Sequence, residues 1–296
     1  MRPIWTRSGR QTSLSAEPGA LVRQLAQPDR DRALRLLATD PVENLFVAAR
    51  IDGFGLDPIR MGCTVWGYER GDNLVSLCHV GSNVVPVGID QTIAVAFAER
   101  IGRRRGAAAI MGEAGQVELL HTVLSERWGD SWGQARDVRP SQPLMVIERP
   151  AGCDPDPRVR QMTLADFDAY YRAAVAMYTE EVGVSPLDAS GSYARYVRSL
   201  IEQRRAFGIV DERGEVIFKS DVGSALGPVC QVQGVWLQPG LRGQGLSIPA
   251  MAAVLEMCRL RWPTVSLYVN DYNTRARRLY ERVGFRTVGK LATVLY

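Results

Sequence analysis

The chain is poor in the residues that announce chemistry on their own. It has two histidines, His79 and His121, and five cysteines, Cys63, Cys78, Cys153, Cys230 and Cys258. The cysteine number is odd and no pair stands in C-x-x-C spacing, which argues against a disulfide framework and against a zinc site; no metal is expected. Cys78 and His79 are adjacent on an expected strand, so their side chains point to opposite faces and form no dyad. Lysine is nearly missing: Lys219 and Lys290 stand alone among 36 basic residues. No apolar run reaches about 18 residues and the first 25 hold no signal-type stretch, so neither a membrane span nor a leader is expected, and the location reads as cytoplasmic. An excess of one charge is missing too. Residues 1–150 carry 18 Arg against 17 acids, and residues 151–296 carry 18 Lys+Arg against 15, so nothing resembles a nucleic-acid footprint. The densest basic run, Arg103–Arg105, reads as a solvated helix end, where cations are favoured.

What is present fits two domains of ordinary composition, with 46% hydrophobic and 23% charged residues over 296 positions. Residues 1–20 are polar and read as a loose arm. Residues 149–158 hold three prolines and two aspartates and read as a stiff connector. The expected domains are therefore 1–150 and 159–296, with 151–158 as linker.

In the second half, Val159–Met162 reads as a strand, and Thr163 with Asp166 forms a capping box before a helix over 168–179. A second helix covers 192–204. Strands at 206–210 and 215–221 meet at the turn Asp211–Gly214, and a third covers 229–237. A glycine-rich loop, a helix over 246–260 with Pro249 in its first turn, a strand over 265–270 and a helix over 274–282 follow. Strands at 285–288 and 292–295 close the chain. This is a mixed α/β sheet with helices on both faces. The first half shows nearly the same order: helices at 31–39 and 43–51, strands at 64–69, 74–79 and 83–87, a helix over 91–105, a strand at 107–111, a helix over 117–127 and a strand at 144–148. A diverged tandem repeat is expected, with an unrelated α/β domain as the alternative.

The strongest local feature is the strand–loop–helix Val235–Ser247. Helix N-termini carry unpaired N–H groups and a positive dipole end, and Gly243 and Gly245 let the backbone approach a phosphate closely. Arg242 adds a charge there or positions the loop. No Lys-Ser/Thr pair follows, which excludes a P-loop. Gly243-x-Gly245 partly mimics a dinucleotide fingerprint, but Ile248 stands where its third glycine belongs. Downstream, Asn273 opens a helix whose face is Ala276, Leu279, Tyr280 and Val283, ended by Gly284 and Phe285.

Together these motifs, V-x-L-x-P-x-x-R-G-x-G and N-x-x-A-x-x-L-Y-x-x-x-G-F, resemble the GNAT superfamily of acetyl-coenzyme A-dependent N-acyltransferases over about 140 residues. The whole chain also resembles actinobacterial two-domain GNAT proteins whose first domain is of unknown function. The resemblance implies tandem GNAT-like domains. The first is degenerate, since Gly88-Ile-Asp replaces the phosphate loop. The second binds acetyl-coenzyme A as co-substrate and transfers its acetyl group directly to an amine of a small molecule or peptide. It implies that Arg242, Gly243, Gln244, Gly245, Leu246 and Ser247 hold the pyrophosphate. Val235, Trp236 and Leu237 would line the pantetheine arm, with the Val235 and Leu237 backbone pairing with it. Asn273 would contact the coenzyme, and Tyr280 would protonate the leaving thiolate. A homodimer is compatible with the family. Two departures stand out: Ser247 replaces the last small residue of the loop pattern, and Gln231 stands where some members place a glutamate base. Glutamine accepts no proton at neutral pH. Glu180, Glu181 and Asp221 are the remaining candidates for that role. A non-catalytic coenzyme A sensor or scaffold is the alternative function, and an NAD-type enzyme a third.

Overall fold

The turn residues and capping signals place most elements of the computed structural model, which describes residues 19–187 and 189–296. The chain divides into two units. The first runs up to Leu144 and includes Gly289–Tyr296; the second is Met145–Val288.

The first unit contains β1 (Ala20–Gln24), α1 (Arg30–Leu37), α2 (Leu45–Phe54), the short α3 (Pro58–Met61), β2 (Thr64–Arg70), β3 (Asn73–Val80), β4 (Asn83–Val87), α4 (Gln91–Ile101), β5 (Ala109–Glu113), α5 (Ala114–Trp128), the short α6 (Asp130–Gly133) and the start of β6 (Asp137–Ile147). β1 to β4 pair antiparallel in sequence order, and β4 pairs parallel with β5. Leu291–Leu295 pair antiparallel with β5 on its other side. One face packs Phe97, Leu120, Leu124 and Trp132 around Ile110 and Cys78, where each fully buried large side chain contributes roughly 2 kcal/mol. His79 points the other way, edge-on to Phe46 of α2 at 5.7 Å.

The second unit contains β7 (Arg160–Gln161), α7 (Phe167–Val182), α8 (Ser192–Glu202), β8 (Ala206–Val210), β9 (Val216–Leu226), β10 (Val229–Leu237), α9 (Ser247–Arg259), β11 (Thr264–Tyr268), α10 (Thr274–Val283) and the start of β12 (Arg286–Leu295). Thr163 and Asp166 form the expected capping box, leading into α7 through one 3-10 turn. β7 to β10 pair antiparallel in sequence order, and β10 pairs parallel with β11. α9 buries Met251, Val254, Leu255 and Cys258 against Phe218, Val222 and Val265. α7 and α8 cover the opposite face with Tyr170, Ala174, Val197, Leu200 and Ile201.

Several expectations change. The Pro/Asp-rich stretch at 149–158 is bonded into the second unit: Gly152 N–H donates to the Val283 carbonyl (3.1 Å) and Asp156 N–H to the Pro249 carbonyl (2.9 Å). The last two expected strands are one, β12, running through Gly289, and its end pairs with the first unit's β5. β6 begins at Asp137 rather than near 144, because Pro140 and Pro143 mask it as a strand. Of the arm expected at 1–20, residues 1–18 lie outside the described residues, and Ala20 opens β1.

Candidate functional site

The parallel ladder of β10 and β11 is short. Val229–Gln231 pair with Thr264–Ser266, and beyond those rungs β10 runs on to Leu237 without pairing with β11. β10 stays on β9, but through a bulge: Gln233 faces Asp221 and Trp236 faces Lys219, so Gly234 and Val235 share one partner position. Gly234 has φ +58°, a conformation glycine adopts without penalty. The extra residue shifts the alternation of side chains. Cys230 and Val232 join the α9-facing core, and past the bulge Val235 and Leu237 do so. Trp236 turns to the α7 face.

After β10 the chain makes the turn expected to meet phosphate. Gly243 (φ +84°) and Gly245 (φ +80°) are exposed, and a Cβ on either would meet nothing within 4 Å. No side chain caps α9 at Leu246, so its first N–H groups face the loop. Ser247 and Leu246 are half-buried, and Gln244 donates to the Gly240 carbonyl at 3.3 Å. This open, glycine-lined helix start fits a pyrophosphate. Asn273 caps α10, accepting from Ala276 N–H at 3.1 Å. Arg242 is a brace, not a charge held out to solvent. Its Nε donates to the Leu237 carbonyl (2.9 Å), and its two terminal nitrogens grip Glu180 at 2.6 and 2.8 Å.

The three candidate carboxylates therefore have different situations. Glu180 accepts from Arg242 and from Trp236 Nε1 (3.3 Å), and the Arg242 bonds hold its carboxyl below the usual range. That makes it a weaker base. Asp221 is buried and accepts from Lys219 Nζ at 2.7 Å and from the Tyr170 hydroxyl. Both its oxygens are committed. Glu181 is exposed at the end of α7, and its charge reaches Tyr280.

Tyr280 is 7% exposed, with its ring edge-on to Phe285 at 5.8 Å. Its hydroxyl hydrogen-bonds to no other described residue. Burial first, and then Glu181, push the phenol well above its ordinary value, so it keeps its proton at neutral pH. Gln231 stands on the last rung before the strands part, opposite Ser266. Three tyrosines that sequence reasoning passed over lie on the α7–α8 side. Tyr178 and Tyr193 approach to 5.3 Å, Tyr193 and Tyr196 to 6.2 Å, and Gln233 donates to the Tyr196 hydroxyl at 2.5 Å. The i, i+3 spacing of Tyr193 and Tyr196 on α8 was the available signal.

The first unit has the same strand arrangement without the loop. β4 and β5 pair over two rungs, Asn83–Ala109 and Val84–Ile110. The connection to α4 is short, and Asp90 caps the helix, accepting from Ile93 N–H at 2.9 Å. A carboxylate thus occupies the helix start where a phosphate would sit, and it would repel one. A hollow of about 270 Å³ elsewhere in this unit is lined by Arg32, Arg35 and Asp72. Arg32 there is already bound to Glu69 and to the Asp72 carbonyl. Among the described residues, no cluster of three or more His, Cys, Asp or Glu could hold a metal, and no helix is long and apolar enough to cross a membrane.

Residues 158–286 match the family model of the Acetyltransferase (GNAT) domain. The second unit carries a GNAT acetyltransferase domain. Residues 63–170 match a domain of unknown function, DUF4081. Solved GNAT structures align over nearly the whole chain. A GCN5-related N-acetyltransferase from Sphaerobacter thermophilus does so with TM-score 0.65 at 16% identity, covering 95% of this chain and 97% of that one. A GNAT-family acetyltransferase from Colwellia psychrerythraea gives 0.57 at 13% identity, with coverages of 93% and 99%. A tandem GNAT protein from the clavulanic acid biosynthesis pathway gives 0.57 at 13% identity, with 93% and 98%. At such identities the likeness is one of fold, and the fold is a tandem GNAT arrangement. No curated protein matches the chain. The antiparallel β9–β10 pair in the GNAT domain is incompatible with the parallel sheet that an NAD-type enzyme needs.

Proposed function

We propose that the GNAT domain is an N-acetyltransferase that moves the acetyl group of acetyl-coenzyme A directly onto an amine of a small molecule or peptide. One observation carries this reading. Strands that part after Gln231 and Ser266, a bulge at Gly234 and an uncapped helix start behind Gly243 and Gly245 all lie along one strand–loop–helix path.

In this reading the backbone N–H groups from Arg242 to Ser247 bind the pyrophosphate. The Val235 and Leu237 backbone pairs with the pantetheine arm on the edge that β11 leaves open, beside Trp236. Asn273 contacts the coenzyme from the start of α10. Glu181 takes the amine's proton, directly or through water, because the other two candidate carboxylates are committed, Glu180 to Arg242 and Asp221 to Lys219 and Tyr170. The neutral amine nitrogen then bonds to the thioester carbonyl carbon, the carbon–sulfur bond breaks, and Tyr280 gives its proton to the departing thiolate. Glu180 and Asp221 hold structure rather than protons. The test is thiol release from acetyl-coenzyme A across a panel of primary amines, alongside calorimetry of acetyl-coenzyme A binding. Binding with turnover of at least one amine class is expected. Binding with no turnover of any small or peptidic amine overturns the catalytic reading, and no binding overturns the coenzyme assignment.

A further inference from the structure

β9 is apolar around one residue that does not belong in a core. Lys219, one of two lysines in the chain, is fully buried within Val-Ile-Phe-Lys-Ser-Asp-Val222. Lys219 and Asp221 stand two apart on one strand, so both face α7. Lys219 Nζ donates to Asp221 Oδ2 (2.7 Å) and to the Gly234 carbonyl (3.0 Å), and lies 5.2 Å from the centre of the Tyr170 ring. The Tyr170 hydroxyl donates to the other Asp221 oxygen.

The Gly234 contact gives the cluster a purpose. A bulge takes a residue out of the ladder, and its backbone carbonyl then needs another donor. Lys219 is that donor. The fit is tight as well as polar: a Cβ on Gly234 would lie 2.7 Å from Asp221 Oδ2 and 2.8 Å from Lys219 Nζ. A buried ion pair is a poor source of stability, since well-packed apolar residues of like volume often do as well, so a geometric role fits it better than a stabilising one.

We infer that Lys219, with Asp221 and Tyr170 behind it, is a positioning device that fixes the β10 bulge at Gly234, and so sets the backbone of Val235 for the pantetheine arm of the coenzyme. The inference rests on the coenzyme reading of the GNAT domain. Lys219 touches no reacting atom in it. It acts through the main chain of Gly234 and Val235, whereas the pyrophosphate loop beyond Leu237 is braced by a different pair, Arg242 and Glu180, which meets this strand only further on, at Trp236 Nε1 and the Leu237 carbonyl.

That separation provides the test. Coenzyme A and its fragment 3′-phosphoadenosine 5′-diphosphate, which lacks pantetheine, are titrated into the full-length wild type and two variants by calorimetry. Lys219→Met/Asp221→Leu removes both charges at similar volume. Gly234→Ala keeps the charges and pushes them off the bulge. Both variants should bind coenzyme A about tenfold or more weakly and the fragment within about twofold of wild type. A general loss of structure would weaken both ligands together, and that outcome overturns the inference, as does a variant that binds coenzyme A like wild type. If the double variant does not fold, Gly234→Ala decides alone. If the folded wild type binds neither ligand, it is the coenzyme reading that fails.

Discussion

Glu180 is the carboxylate at which a brace and a base make different quantitative predictions. Arg242 grips it with two bonds of 2.6 and 2.8 Å, and the two side chains are 29% and 50% exposed. Exposed ion pairs contribute about 0.2–1 kcal/mol, and this two-pronged geometry belongs at the upper end. At about 1.4 kcal/mol per tenfold, Glu180→Gln should weaken coenzyme A binding by roughly fivefold, through a loosened Arg242 and loop. Arg242→Ala should do the same or slightly more, since it also frees the Leu237 carbonyl. The double variant should lose little beyond the worse single one, because both changes remove one interaction. Calorimetry on the four proteins measures this cycle, and thiol release measures turnover with the best amine of the panel. A base contributes about 10²–10⁴-fold to rate. A kcat loss of a hundredfold in Glu180→Gln with unchanged coenzyme affinity would refute the brace, and so would strictly additive effects in the cycle.

Three further outcomes are expected. Gly245→Glu should abolish coenzyme A binding in a folded protein, while Gly245→Ala, equally strained at φ +80° but uncharged, should retain much of it; calorimetry on both separates phosphate repulsion from backbone strain. Tyr280→Phe should lower kcat by about a hundredfold or more, the low end of what a lost general acid costs, and leave coenzyme affinity within about twofold; unchanged turnover would make Tyr280 a packing residue. In the first unit, burial, Asp40 and Glu113 push Glu43 up to about 7. A raised carboxyl makes the folded state bind the extra proton, so stability falls as pH rises from the unfolded value of 4.5 to about 7 and is level above. Glu43→Gln should therefore stabilise the protein at pH 8 by about 1 kcal/mol, discounted for solvent screening of a half-buried group, and by nothing at pH 4; urea melts at the two values check it.

Most elements were legible because local chemistry dictates them. Thr163 with Asp166, the turn at Asp211–Gly214 and Pro249 in the first turn of α9 all sit where their backbone preferences place them. The glycine-rich turn ahead of α9 was legible for the same reason: Gly243 and Gly245 take the positive φ angles that glycine tolerates. What depends on distant partners was hidden. Nothing local tells that Leu291–Leu295 pair with Ala109–Glu113, or that the Pro/Asp stretch is bonded to Pro249 and Val283. The commitments of Glu180 and Asp221 are likewise tertiary, since Arg242 lies 62 residues from Glu180 and Tyr170 lies 51 from Asp221. The bulge was nearer to hand. Inward residues at 230 and 232 are followed by 235 and 237, a break in the period of two that falls on Gly234. A lone lysine in an apolar strand of an otherwise arginine-based chain was the matching clue.

The central claim, that the GNAT domain binds the coenzyme on the path from β10 to α9, meets its most direct test in a thermal melt with acetyl-coenzyme A, coenzyme A and NAD side by side. At a hundred times its dissociation constant, a ligand of the folded state adds about 2.7 kcal/mol. For a unit of this size that is a rise of roughly 8 °C. The account predicts such a rise with both coenzyme forms and none with NAD. A folded protein whose melting temperature ignores acetyl-coenzyme A and coenzyme A alike would contradict it.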